Sequence, residues 1–359
     1  MNSAPRADRI TPAGIVRILT HSPAVRSFMS VIGIAFVVVL SASLLIELVG
    51  ASPWGAAVAL EQGSVGSIDS IAETLIRFAP LVLIAASLAP SLQAGLFNIG
   101  AAGQMGVGAL MATIVALELG TTPAWLAIPL TASAGILGGA AWALIPALLR
   151  ARLQINEILS TFVFNFLAVL LLTYLVAGGP MMPQGATVAE SAAWPGSTLL
   201  PVLIPDTRAH VGIIVALAGI VCLAIFARTP LGYRVRLFGA NNYLGARAGV
   251  AETRLVLALL LLGGAVAGLA GWMQVAGVDQ RLYPTVAASV GFNGLFVALL
   301  GGGRPLGILI ASLLFAALLK GGDSLQVASN VSPELINVIV GMIVLGFVAR
   351  RALAGRVSG

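Results

Sequence analysis

Charge is what this sequence has least of. Only 9% of its 359 residues are Asp, Glu, Lys or Arg, while 59% are hydrophobic and the mean hydropathy is +1.04. A soluble fold carries about a quarter of its residues as charges, so a soluble domain of this length is excluded and an integral membrane protein is expected. A single cysteine, Cys222, set in an apolar stretch, excludes an intrachain disulfide and a cysteine metal cluster. The two histidines, His21 and His210, are too far apart in sequence to suggest a metal site. The one lysine, Lys320, stands between Leu319 and Gly321, so the Gly-x-x-x-x-Gly-Lys-Ser/Thr loop that cradles phosphate cannot form and this chain is not expected to hydrolyse ATP. Gly-x-Ser-x-Gly is also absent, as is any nucleophile with a base and an acid at catalytic spacing. An enzyme is therefore a poor reading.

What the chain does have is apolar runs. They predict an all-α, polytopic integral membrane protein with about ten transmembrane helices, some broken or Gly-rich, near residues 28–49, 71–92, 97–118, 124–149, 155–177, 210–227, 255–275, 287–300, 306–320 and 333–349. The first run, Phe28 to Ile46, is long enough to span and is preceded by Arg6, Arg9, Arg17 and Arg26, which suggests an uncleaved first helix rather than a signal peptide. The net charge of +6 does not point to nucleic acid, because the arginines fall in short breaks between apolar runs instead of in a patch interleaved with aromatics.

Those arginines set an orientation. With a cytoplasmic N-terminus and ten alternating helices, fifteen of the nineteen basic residues fall inside, as the positive-inside rule requires. The expected organisation is a cytoplasmic segment 1–27, a transmembrane domain 28–349 and a cytoplasmic tail 350–359, as a multi-pass membrane protein with both termini cytoplasmic. Two breaks are too long to be turns. The outer loop 178–209 holds Pro180, Pro183, Pro195, Pro201 and Pro205, which argues for ordered but irregular chain. The inner loop 228–254 is basic. A faint internal echo pairs Leu96, Phe97, Gly103 and Gly108 with Leu295, Phe296, Gly302 and Gly307, a pattern that either marks a repeat or arises by chance among glycine-rich helices.

The stretch Leu96-Phe97-Asn98-Ile99-Gly100-Ala101-Ala102-Gly103-Gln104 puts glycines and uncharged amides inside apparent membrane helix. In hydrocarbon every peptide group must be satisfied within the protein, so a helix breaks at that depth only where protein or a water-filled path surrounds it. Broken helices of this kind hold polar solutes in transporters. Asn98 and Gln104 would either bond sugar hydroxyls and base edges or repair the freed backbone, with Gly100 and Gly103 allowing close approach. Phe97 could stack on a nucleobase or pack in a core. Further on, Asn156 suits a helix N-cap with Glu157 in the first turn, and Asn165 sits about 12 Å deeper, as interhelical glue or part of a path. Gly135 with Gly139 and Gly264 with Gly268 form Gly-x-x-x-Gly pairs, which serve packing. Trp272, Phe292 and Asn293 could line an entrance, although tryptophan near an interface also anchors.

The segment 96–104 resembles the Phe-Asn-Ile-Gly-x-Glu-Gly-Gln signature of permeases of nucleoside and simple-sugar ABC importers, the branched-chain amino acid and ribose-type permease family, with Ala102 at the Glu position. Ile155-Asn156-Glu157-Ile158-Leu159-Ser160-Thr161 is similar to the Asn-Glu-Val-Ile-Ser-Thr segment of the same permeases. Gly239-Ala240-Asn241-Asn242-Tyr243-Leu244-Gly245-Ala246-Arg247-Ala248-Gly249-Val250 resembles their cytoplasmic motif Gly-x-Asn-Pro-x-Ala-Ala-x-x-Ala-Gly-Ile, with Asn242 for the Pro and Gly245 for the first Ala. From the residues alone, Asn241 or Asn242 caps a short helix showing Tyr243, Leu244 and Ala248 beside Arg247, and the blander reading is a solvated basic loop.

The resemblance implies a permease subunit working by alternating access for nucleosides or a related simple sugar. It implies a path at Phe97, Asn98, Gly100, Gly103, Gln104, Asn165, Trp272 and Asn293, and coupling to an ATPase through Gly239, Asn241, Asn242, Ala246, Arg247 and Gly249. The partners it implies are ABC ATPase subunits, a second permease subunit, identical or paralogous, an extracytoplasmic substrate-binding protein or lipoprotein, and the lipid bilayer. No cofactor is expected on this chain, since ATP and Mg would be bound by the ATPase subunits. The alternatives are an ion-coupled secondary transporter acting alone, which intramembrane acids would favour and Glu47 supports weakly, and a passive channel.

Overall fold

The structure is a computed structural model that describes residues 23–247, 249–287, 289–329 and 335–346. The expected cytoplasmic tail, most of the N-terminal segment 1–27, Ala248 and the Asn242 side chain lie outside the described residues. Thirteen helices run through what is described: α1 (Pro23–Leu48), α2 (Pro53–Val65), α3 (Ile68–Gln93), α4 (Ala101–Leu119), α5 (Ala124–Leu153), α6 (Glu157–Val176), α7 (Gly212–Phe226), α8 (Pro230–Ala240), α9 (Asn242–Arg247), α10 (Glu252–Gln274), α11 (Val290–Leu300), α12 (Pro305–Ser329) and α13 (Leu335–Gly346). Six of them are long and apolar enough to cross a membrane, or up to eight if the bent pairs α1–α2 and α7–α8 each make one span. Two shorter apolar helices, α11 and α13, sit where the sequence suggested further spans. Among the described residues the only extended pairing is a bridge between Val202 and His210.

Two compact units divide the chain, one drawn from Met1–Ala57 with Ser329–Gly359 and one from Val58–Ala328. In the first, Gly346 of α13 meets Ile34 and Val38 of α1. The second holds everything that follows.

Its centre is a seam of glycines joining α4, α5 and α10. A Cβ on Gly108 would collide with the Gly268 backbone, one on Gly139 with the Gly264 carbonyl, and one on Gly271 with the Met105 carbonyl. The two Gly-x-x-x-Gly pairs are thus packing devices that let backbones touch. Around this seam α3 packs on α7, α10 and α11, while α6 packs on α4 and α5.

The hydrogen bonds also sort the helix ends. Gln93, Arg150, Glu157, Glu252, the Gly301–Gly303 turn and the basic loop gather at one end. Glu73, Gly120 and the segment after Gln274 meet the proline-rich loop at the other. That loop is ordered and irregular, as its prolines suggested. It is stitched along the α10 exit by Ser191 N–H to Leu282 O (3.0 Å), Trp194 N–H to Gln280 O (2.9 Å) and Leu200 N–H to Ala276 O (2.9 Å).

One expectation needs correction. The sequence predicts a span over 97–118 with the stretch 96–104 interrupting it, but α3 ends at Gln93, the chain is irregular over Ala94–Gly100, and Ala101 to Gln104 form the first turn of α4. Gly95 at φ +78° turns the chain out of α3, and Asn98 closes a local turn on Gly100. Of the internal echo only Gly108 and Gly307 share local structure, both being helical: Leu96 and Phe97 lie in the break, whereas Leu295 and Phe296 lie inside α11, and Gly302, at φ +62°, is in a turn where its counterpart Gly103 is helical.

Candidate functional site: the break between α3 and α4

A seven-residue interruption leaves backbone groups that no helix satisfies, and the neighbouring α6 supplies what is missing. Glu157, Thr161 and Asn165 are spaced four apart, so they form one stripe along that helix. Glu157 Oε1 accepts Phe97 N–H (3.4 Å), Thr161 Oγ1 accepts Ile99 N–H (3.2 Å), and Asn165 accepts Gly103 N–H (2.8 Å) while donating to Ile99 O (2.9 Å). The Thr161 hydroxyl itself donates to Glu157 O (2.6 Å). Gly100 and Gly103 let α6 come this close, since a Cβ on Gly103 would lie 2.9 Å from Phe164 O.

Asn98 and Gln104 face each other. Asn98 Nδ2 donates to Gln104 Oε1 (3.1 Å), Gln104 Nε2 donates to Asn98 Oδ1 (3.2 Å), and the same Oδ1 accepts Gly100 N–H (3.0 Å). Each residue is 1% exposed, and Gly263 of α10 covers the pair, a Cβ there falling 2.9 Å from Asn98 Nδ2. In this conformation the amides are a hydrogen-bonded pair that holds the break, not two groups open to a solute. Asn165 is likewise glue. Phe97 is 38% exposed beside them.

The other expected path residues lie apart. Trp272 is 3% exposed and donates from Nε1 to Thr131 Oγ1 (2.9 Å), tying α10 to α5. It stands nine residues beyond Gly263, about 13 Å along the helix, so it belongs to packing and not to the break. Asn293 is buried in the first turn of α11, and its amide donates no hydrogen bond among the described residues. Its neighbour Phe292 meets Phe162 of α6 edge to face, with ring centroids 6.4 Å apart. Ala102 abuts Gly291 of α11 so closely that a Cβ on that glycine would strike the Ala102 backbone.

The basic loop folds into two short helices. Thr229 caps α8, with Pro230 at its first position, and α8 bends 74° from α7. Asn241 caps α9: its Oδ1 accepts Tyr243 N–H (2.9 Å). Tyr243 and Leu244 are exposed, Arg247 lies over the Tyr243 ring at 5.1 Å, Ala246 is exposed, and Gly249 turns the chain at φ +78°. Gly239 is exposed as well, but its Cβ position faces inward. It presses on the Gln93 carbonyl, and Val235 and Phe238 enter one buried cluster with Ala94 and Leu96 of the break, Ala147 and Ala151 of α5, and Val256, Leu259 and Leu260 of α10.

Sequence reasoning missed several residues here. Gln93 donates from Nε2 to Gly303 O (2.8 Å), fastening the end of α3 to the α11–α12 turn. Arg150, counted only as a topology signal, lies between two carboxylates, 3.0 Å from Glu157 and 3.6 Å from Glu252. The four-residue spacing of Glu157, Thr161 and Asn165 was the available signal for the stripe.

Residues 70–348 match the family described as branched-chain amino acid transport system / permease component. The chain belongs to this permease family. It is 36% identical over 289 residues to the glucose ABC transporter permease protein TsgB13 of Haloferax volcanii, covering 77% of this chain and 75% of the relative. It is 33% identical over 326 residues to the guanosine ABC transporter permease protein NupP of Bacillus subtilis, covering 88% and 91%. The nucleoside ABC transporter permease protein NupB of Lactococcus lactis is 32% identical over 291 residues, covering 78% and 79%. No solved structure matches. As a permease subunit of an ABC importer, this permease fits its composition, its many apolar helices and its lack of a phosphate-cradling lysine loop.

Proposed function

We propose that this permease carries nucleosides, or a related simple sugar, through a bacterial inner membrane by alternating access driven by separate ATPase subunits. The observation that carries this reading is the break Ala94–Gly100, whose backbone is satisfied by side chains of a neighbouring helix and so can be released without unwinding a helix. Names of relatives that cover most of the chain, a guanosine and a nucleoside permease, support the solute class. Phe97, 38% exposed, is the path residue that remains open to a solute, and Asn98, Gln104 and the buried Asn293 join it when the break opens.

The exposed Tyr243, Leu244 and Arg247 are the surface for an ATPase subunit, which would bind ATP and Mg. The proline-rich loop is the surface for an extracytoplasmic binding protein or lipoprotein, and a second permease subunit, identical or paralogous, completes the assembly. The test is reconstitution in liposomes with the cognate ATPase and binding protein. Uptake of nucleosides should require all components and ATP. Uphill uptake by this polypeptide alone, driven by a proton or sodium gradient, would overturn the reading.

A further inference from the structure

The partners of Arg150 do more than balance a charge. Arg150 is at the end of α5, Glu157 opens α6, and Glu252 opens α10 directly after the basic loop, so three helix ends meet at one guanidinium. Glu157 uses one oxygen on Arg150 and the other on Phe97 N–H, which makes it the first of the three side chains that hold the break. A continuous polar line therefore runs from the first turn of α10 through Glu252, Arg150 and Glu157 to the backbone of Phe97.

The two arms of this line differ. The Arg150–Glu157 arm is short and mostly buried, with side-chain exposures of 21% and 12%, whereas Glu252 is 42% exposed and 3.6 Å away. Removing one partner of a buried pair leaves an uncompensated charge, while an exposed pair contributes little at rest. The long arm can thus form and separate with small displacements of α10, and the short arm stays closed.

We propose that Arg150 is a positioning residue that couples the basic loop to the break: movement of α10 changes the hold of Glu252 on Arg150, and Arg150 in turn tightens or loosens the grip of Glu157 on Phe97. The proposal rests on the ABC reading above. It adds that the connection runs through this ionic line and not solely through the apolar cluster around Phe238.

The test uses the full complex with its ATPase and binding protein. Hydrogen exchange of the peptide spanning residues 94–104 is followed with and without a trapped nucleotide, and import per ATP is measured in the same preparations. In Glu252→Gln the break should remain as protected at rest as in the wild type, its nucleotide-dependent change in exchange should disappear, and import per ATP should fall by about twofold to fivefold, the weight of a partly exposed ion pair. In Arg150→Gln protection of the break should be lost at rest, and Arg150→Lys, which keeps the charge, should restore it in part. Glu252→Gln with wild-type exchange behaviour and wild-type import per ATP would overturn the proposal. So would loss of protection at rest in that variant, since Glu252 would then be only a structural prop. Wild-type complex that imports nothing on ATP would count against the ABC reading, and wild-type import with an unaltered Glu252→Gln against the relay alone.

Discussion

Gly239 lies flat against Gln93, at the point where α3 gives way to the break. No side chain separates the two backbones, so the end of α8 and the start of the break move together. Gly239→Ala introduces a methyl where the Gln93 carbonyl already is, and an overpacked contact of this kind costs about 1 to 3 kcal/mol. The variant should melt lower than wild type, and import should fall with it. An unchanged melting temperature would mean that α8 can lift from Gln93 freely.

Arg247→Glu is expected to behave differently. Arg247 is exposed and lies over the Tyr243 ring. The purified permease should keep its melting temperature and insertion, while association with the ATPase and import both weaken. Unchanged import and assembly would mark the loop as a topology signal alone.

The Asn98–Gln104 pair gives a double-mutant prediction. Asn98→Ala leaves the Gln104 amide buried without its partner, and Gln104→Ala does the reverse, each costing about 1 to 3 kcal/mol. Because the two share their bonds, the double variant should cost less than the sum of the singles. Melting of the purified complex alongside uptake over a substrate concentration series separates holding from solute contact. Preserved stability with weakened apparent affinity would place the amides on the solute instead.

How much of this was legible in the sequence depends on the range of the interaction. The helix caps at Asn156 and Asn241 are local and were visible, as were the glycine pairs, because an amide before a helix and a four-residue glycine spacing need no partner to be recognised. The position of the break was shifted, since Phe97 and Ile99 are as apolar as the helix that follows and only the Gly95 turn marks the true exit. The bond of Trp272 to Thr131 was not legible because it joins residues 141 positions apart. Arg150 looked like one more cytoplasmic arginine for the same reason: its meaning lies in Glu252, on another helix, and no spacing rule connects them.

Orientation can be checked by labelling. In a Cys222→Ala background, Val188→Cys, on the exposed proline-rich loop, should react with a membrane-impermeant maleimide in intact cells, and Tyr243→Cys should not. The reverse pattern would invert the topology.

A pH effect is expected from His210, which lies between the proline-rich loop and Gly212, the first residue of α7. The imidazole is buried, its Nδ1 accepts Gly212 N–H (3.1 Å), and burial lowers its pKa from 6.5 to about 4. The folded protein therefore holds this group neutral while the unfolded chain protonates it. The stability it contributes is fully present above pH 6.5 and is lost as pH falls toward about 4. Melting temperature should drop between about pH 7 and about pH 5, and the drop should shrink in His210→Gln. Identical pH profiles for the two proteins would remove His210 as the cause.

The glycine seam decides which parts of this protein are free to shift. Where α4, α5 and α10 touch backbone to backbone, around Gly108, Gly139 and Gly268, no rotamer can change to absorb sliding, so these stretches travel as a single keel, while Arg150 and Glu252 stand about three turns beyond it. Displacement must then be taken up outside the seam, and the break, whose backbone is held by side chains of α6, is the seam's nearest yielding edge. Gly268→Ala tests the keel itself: with three backbones converging there, it should abolish folding, whereas Gly33→Ala on α1, with nothing within 4 Å, should be tolerated. A transporter built this way carries its cargo past a rigid spine, and its working stroke is the flexing of what hangs from it.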